Sequence, residues 1–368
     1  AKTDAAVERF RELMQSANND VRDGQLIFAT YEGCCDEGAQ CLGNNPATPY
    51  GTYAIPTLPE EAPAVDILAP WGTIPDPALT RSVHLRGDEA IVFIGTAPPE
   101  AAYFSMRSYQ LARTDPDGTL VPTLGSLGES LNHLTIAAER GVPVSEIWGE
   151  PLIVITTADR DVEDSIRAAL ESAGFEPTSI HHDRMTASVL NMGLDASSDL
   201  FTALWRTALP VDRVAEQAFR DAPGSLLLRI TPQTPLILSN PQPTPNFTEP
   251  GSGTNEDAWS DAVTDLETAI YATYPDSFGV IRGSSSVFQD TLDCIAGPTR
   301  CGGDIRDRLL STIEPFTIDG DEFVVAFGVN HTRTGKTTYS NLAVTEAVHS
   351  IGVLGFNSNE MVGSARPY

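Results

Sequence analysis

Lysine is all but missing from this 368-residue chain: it occurs only at Lys2 and Lys336, against 21 arginines. Positive charge as a whole is scarce, with 23 basic residues facing 50 acidic ones for a formal charge of −27. A surface of that sign offers phosphate groups no basic patch, which argues against nucleic acid and anionic membrane surfaces as partners. It favours solubility in salty surroundings or attraction of cations, although no EF-hand loop pattern is present. Long apolar runs are lacking too, and none approaches the ~18 residues of a membrane-spanning helix. Neither GxSxG, a P-loop, HExxH nor GxGxxG occurs, so the chain is not a familiar α/β-hydrolase, nucleotide-dependent kinase, zincin or dinucleotide enzyme. The missing CxxC pair speaks against a zinc ribbon or a thioredoxin-type centre. The cofactor is left open: no motif names one, while His331, or one of His181 and His182 with Asp183, offers groups that could ligate a metal. Hydrophobic residues at 41% and charged residues at 20% are ordinary for a globular protein.

Five cysteines are present in two groups, Cys34, Cys35 and Cys41 near one end and Cys294 and Cys301 near the other. In an exported protein they read as disulfides. Cys294 and Cys301 can close a small loop across the Gly297-Pro298 turn, and either Cys34 or Cys35 pairs with Cys41. A cross-link between the two groups is the alternative, and a fifth cysteine is left over. The chain starts at Ala1 rather than Met, as after removal of a leader. Together these features imply a secreted, periplasmic or cell-surface protein.

Residues 4–17 carry Val7, Phe10, Leu13 and Met14 at helical spacing, with Asp4 as a cap. A Cys-, Gly-, Asn- and Pro-rich loop follows, so residues 1–60 form an N-terminal helix and Cys-rich loop. The stretch Asp88–Gly95 matches Asp321–Gly328: an acidic pair, an apolar strand, then Gly. Each is followed by a returning strand, Ala102–Leu111 in the first case and Thr337–Ser340 in the second, which predicts two related hairpins. Residues 152–157, 159–173 and 178–180 spell strand, helix, strand, and 225–230, 256–274 and 278–281 spell the same again. Residues 200–220, with Phe201, Leu204, Trp205 and Leu209, are expected to be a bridging helix. The predicted fold is α+β with two related halves, 61–199 and 200–368. Each half has a β-hairpin and a β-α-β unit, with helices packed on a mostly antiparallel or mixed sheet.

The turn after Phe327 concentrates reactive groups. His331 is a candidate general base, Lys336 a candidate amine or anion anchor, and Tyr339 a hydroxyl donor, giving a catalytic set His331, Lys336 and Tyr339. Asn330 and Ser340 are candidate binding residues beside them. Facing them from the other hairpin would be Ser105, Arg107 and Tyr109, which share one face of a strand. Asn330 and Gly335 also suit a plain solvated turn. Asn132-His133, His181-His182-Asp183 and the loop Gly302–Arg308 are further polar clusters; adjacent histidines on a strand face opposite ways. Asn246 and Asn330 each begin a glycosylation sequon. The expectation is an exported hydrolase or lyase acting on a small polar or anionic substrate in a cleft between the halves. The alternative is a cell-surface or extracellular binding or structural protein that assembles with copies of itself through sheet edges and an unpaired cysteine.

Overall fold

In the computed structural model the sheet is assembled around a strand close to the N-terminus. Described are residues 2–366 except 37, 40, 47, 49, 129–130, 238–239, 245–255, 277–290, 298–300, 304–306, 308–312 and 314. In chain order the elements are α1 (Lys2–Ser16), β1 (Asn19–Phe28), β2 (Tyr50–Pro56), β3 (Leu79–Thr80), β4 (Ala90–Thr96), β5 (Ala101–Thr114), β6 (Leu120–Ser126), β7 (Leu131–Asn132) and α2 (His133–Arg140). They continue with β8 (Pro151–Thr157), α3 (Arg160–Ala173), β9 (Ile180–Arg184), β10 (Leu200–Pro210), α4 (Arg213–Asp221), β11 (Leu226–Pro232), α5 (Ser260–Thr273), α6 (Thr291–Ala296), β12 (Asn341–Glu346), β13 (Ile351–Asn357) and α7 (Ser358–Met361).

One 11-stranded sheet runs in the order β6-β5-β10-β2-β1-β11-β4-β8-β9, with β3 attached to β2 and β7 to β5. It is mixed: β8 and β9 run parallel across α3, and the other pairs are antiparallel. β1 is shared, Asn19–Gly24 pairing with β11 and Gln25–Phe28 with β2. The sheet curls so that Phe104, Met106, Phe201 and Trp205 of one wing pack in a common core with Ile91, Phe93, Val154 and Leu227 of the other. Outside the second wing, Phe10 and Met14 of α1 and Ile166 and Leu170 of α3 cover Val92, Ile155 and Leu228. Outside the first wing, Cys34, Cys41, Leu68 and Trp71 cover Tyr50, Tyr109 and Leu204. No described helix is long and apolar enough to cross a membrane.

Local chemistry explains the elements that form as expected. Asp159 caps α3 by accepting from Asp161 N and Val162 N, and Gly174 ends it with a left-handed φ of 105°. Cys34 pairs with Cys41 and Cys294 with Cys301, each at a Cα–Cα distance of 5.6 Å. The second disulfide lies in the inner core with Ile295.

Four expectations fail. Residues 200–220 are not one helix but β10 followed by α4. β10 is buried on both faces, so its apolar residues fall at intervals that imitate helical spacing. The expected second hairpin over 321–341 does not form: residues 323–340 hold no strand, and the C-terminal strand pair is β12 with β13. Phe323 and Val324 are 59% and 51% exposed, a strand-like sequence with no partner ladder. β4 and β5 do not pair as a hairpin either, since β4 lies between β11 and β8 and β5 between β6 and β10. The repeat of two halves is therefore not visible in the topology, in which β10 and β11 sit among strands of the first 60 and the next 140 residues. The expected strand at 278–281 and the Asn246 sequon lie outside the described residues.

One buried ion cluster fixes the connection around β11. Arg229 places Nη1 2.6 Å from Glu61 Oε2 and Nε 2.9 Å from Glu89 Oε1, with all three side chains fully buried. Its remaining donors reach the carbonyls of Pro56 and His84, so every edge of the guanidinium is used.

Candidate functional site

The residues singled out at the C-terminal turn fall in two places. The first is a groove of about 950 Å³ whose floor is Trp259, just before α5, with Val263 and Leu266 of α5. Its other wall is the turn at 328–336. Asn330 shapes that turn: its Oδ1 accepts from Thr332 N and Oγ1, and its Nδ2 donates to the Ser358 carbonyl. Gly335 completes it with φ 76°, a left-handed value that glycine takes without strain. The turn brings three groups onto one carboxylate. His331 Nδ1 lies 2.6 Å from Glu256 Oε2 as an ion-pair contact rather than an aligned hydrogen bond, Lys336 Nζ lies 3.8 Å from the same oxygen, and Thr334 Oγ1 donates to Oε1. The Thr334 hydroxyl first, then His331 and Lys336, hold the Glu256 carboxyl below the usual carboxylate range. Glu256, Lys336, Asn330 and Arg333 line the groove; His331 stands behind Glu256 and is 45% exposed.

The second place is the outer face of β5 and β10. Ser105, Arg107 and Tyr109 sit there, fully buried, opposite Arg206, Leu204 and Thr202 of β10 in the ladder, and directly opposed residues share a face. Tyr339 belongs here and not in the groove: its ring lies 5.5 Å from that of Tyr103. Ser340 contributes its carbonyl, which accepts from Ser358 N, the residue whose carbonyl also receives Asn330. The expected single cluster is thus corrected. His331, Lys336 and Asn330 meet at Glu256, whereas Tyr339 meets β5. The cause is the missing hairpin, because an irregular chain carries its 331–336 turn onto α5 instead of folding back beside β5.

No known protein family, curated protein or solved structure matches this chain.

On the β5 face, the Tyr103 hydroxyl and the Asn132 amide both donate to Asp307 Oδ2, at 3.0 Å each. His133 is edge-on to Tyr103 and stacked on Trp148, and burial pushes its imidazole below the usual range. The Arg206 guanidinium lies 5.2 Å from the Tyr50 ring centre and 5.7 Å from that of Tyr109. Elsewhere, His181 contacts Glu139 and is buried, whereas His182 turns the other way toward Glu163, 3.6 Å off. Among the described residues no group of three or more His, Cys, Asp or Glu is placed to hold a metal ion.

Glu256, Tyr103 and Arg206 were not among the expected site residues, for different reasons. Glu256 lies 75 positions before His331 and carries no local motif. Tyr103 stands two residues from Ser105 on the face already picked out, so strand alternation contained that signal. Arg206 was hidden inside the stretch expected to be helical.

Proposed function

We propose that this chain is an exported enzyme of hydrolase or lyase type whose site is the groove between α5 and the 328–336 turn. The observation that carries the reading is that an imidazole, an ammonium and a hydroxyl meet on one carboxylate in the wall of an apolar-floored groove. A groove with an apolar floor and a few convergent polar groups suits a small ligand. Lys336 and Arg333 would hold an anionic end and the Trp259 face an apolar one. Glu256, kept ionised, would accept a proton from an activated water or from the substrate. His331, in contact with Glu256 and open to solvent, would carry that proton out. Export is supported by the two disulfide-spaced cysteine pairs.

The test is turnover of a panel of small chromogenic carboxylate, phosphate and sulfate esters by the purified chain. Glu256→Gln should lower kcat about 100-fold or more, the usual worth of a positioned acid or base. Lys336→Ala should raise KM for anionic substrates with a smaller effect on kcat. Turnover of no member of the panel, or a Glu256→Gln rate equal to wild type, counts against the assignment.

A second reading, assembly with copies of itself, draws on one observation. β12 and β13 form an isolated two-stranded sheet exposing Val344, Val353, Leu354 and Phe356. Two-stranded sheets are marginal alone, and open edges recruit further strands. Sedimentation of a single species at 39.4 kDa over a wide concentration range would exclude it.

A further inference from the structure

The outer face of β5 takes no part in the α5 groove, yet it is both buried and polar. Strand alternation sends Phe104 and Met106 into the inner core, where they join Trp205 and Leu131. It sends Tyr103, Ser105 and Arg107 outward, and none of these is more than 8% exposed. The ladders extend this face sideways. Ser105 lies opposite Arg206 of β10 on one side and Asn132 of β7 on the other, and Arg206 lies opposite Tyr50 of β2. Opposed residues share a face, with Cβ atoms about 5 Å apart. Four strands therefore set Tyr50, Arg206, Ser105 and Asn132 in one buried row. Burying polar groups costs free energy unless each finds a partner, and an ordinary core has no need of them.

A single exposed carboxylate closes this face. Asp307 stands six positions after Cys301, whose backbone N–H donates to the Thr123 carbonyl of β6 at 2.8 Å. Its Oδ2 accepts both from the Tyr103 hydroxyl and from the Asn132 amide, at 3.0 Å each. Both donors are held in place without its help. Asn132 Oδ1 caps α2 by accepting from Leu134 N and Thr135 N, which leaves Nδ2 to face the carboxylate. The Tyr103 ring is flanked by His133, edge-on at 5.8 Å, and by Tyr339 at 5.5 Å. Two further buried side chains have nitrogen atoms that meet no hydrogen-bond partner among the described residues: His133 at Nδ1 and Arg206 at Nε and Nη1. The face thus keeps more hydrogen-bonding capacity than Asp307 uses.

We propose that this face is a binding site for a small organic carboxylate, and that Asp307 is the carboxylate the chain itself supplies when no ligand is there. The two hydrogen bonds at Oδ2 show the mode of recognition: a phenol and an amide converge on one oxygen, and charge-assisted bonds of this kind are strong. Arg206, two rungs from Asn132 in the same row, supplies a charge that no ordinary pH removes. Asp307 itself is exposed, so an incoming carboxylate reaches both donors by displacing that one side chain. The site is separate from the α5 groove and stands whether or not that groove is catalytic.

Thermal unfolding of the full chain decides it, with sodium acetate titrated against sodium chloride at matched ionic strength. Asp307→Ala should lower Tm, and acetate should restore it saturably. Wild type should need at least about tenfold more acetate for half the response, because its tethered carboxylate competes at high effective concentration. Asp307→Asn keeps an acceptor oxygen for the two donors, so it stays informative if the alanine variant does not fold; it should respond at a concentration between the other two. Adding Tyr103→Phe to either variant keeps the ring and removes the hydroxyl. It should weaken the saturable component about tenfold, the loss of one hydrogen bond to a charged group. Adding Lys336→Ala, which lies in the α5 groove, should leave that component unchanged. A saturable component that is absent from both Asp307 variants, no tighter there than in wild type, indifferent to Tyr103→Phe or abolished by Lys336→Ala overturns the inference.

Discussion

Single side chains in this protein show how differently burial acts on charge. Arg229 with Glu61 and Glu89 is a closed set, so Arg229→Met would strand two buried carboxylates. Breaking one side of such a set costs about 3–5 kcal/mol, and urea unfolding should show a loss of that order. Asp183 behaves in the opposite way. Burial pushes its carboxyl up to about 6, only partly offset by hydroxyl donors from Ser108 and Thr156. A folded pKa above the unfolded one means stability that is present below about pH 4 and lost as pH rises through about 6. Asp183→Asn should remove that dependence. At pH 7 the variant should be more stable than wild type by up to about 3 kcal/mol, two units at ~1.4 kcal/mol each. The advantage should shrink toward pH 4 in chemical denaturation followed across that range. Neither partner set was legible in the chain. Arg229, Glu61 and Glu89 carry no mutual spacing, and Asp183 was noticed only for the histidines before it.

At the level of elements, local signals were readable where one face alone is buried. α3 announces itself through the Asp159 cap, the Val162, Ile166 and Leu170 spacing and the Gly174 stop. β10 does not, since Ala203 and Trp205 face the inner core while Leu204 and Arg206 face outward into another buried layer. Order along the chain also misled, because β4 and β5 are neighbours in sequence but not in the sheet. For the same reason the candidate site was half legible: turn chemistry pointed to Asn330, His331 and Lys336, but not to the segment before α5 that supplies Glu256. β1 contains a sensitive joint. At Gly24, where β1 passes from β11 to β2, a Cβ would come 2.6 Å from the Ala54 carbonyl oxygen and 2.8 Å from Ile55 Cγ2. Gly24→Ala must push β2 aside, a strain of about 1–3 kcal/mol. A lower Tm with intact disulfides is the expected readout.

Taken whole, the molecule carries far more negative than positive charge, and much of its carboxylate population is not paired by arginine. Self-repulsion of a net charge of −27 opposes the folded state. Salt at about 1 M, where the screening length falls to roughly 3 Å, should therefore raise Tm well above its low-salt value. Scanning fluorimetry in sodium chloride checks this, and a flat response would mean that the acidic surface is already neutralised locally. The large-scale topology carries one more consequence. Val21 of β1 pairs with Ile230 of β11, and the roughly 200 residues between them take on the order of tens of seconds to synthesise. The Asn19–Gly24 part of β1 is thus among the last to find its neighbour, and such distant pairing makes folding slow. During that interval the Asn19–Gly24 end of the β1–β2 ribbon stays unpaired, and any other half-made copy could capture it. Production of this protein should therefore depend on whatever shields that ribbon until β11 arrives.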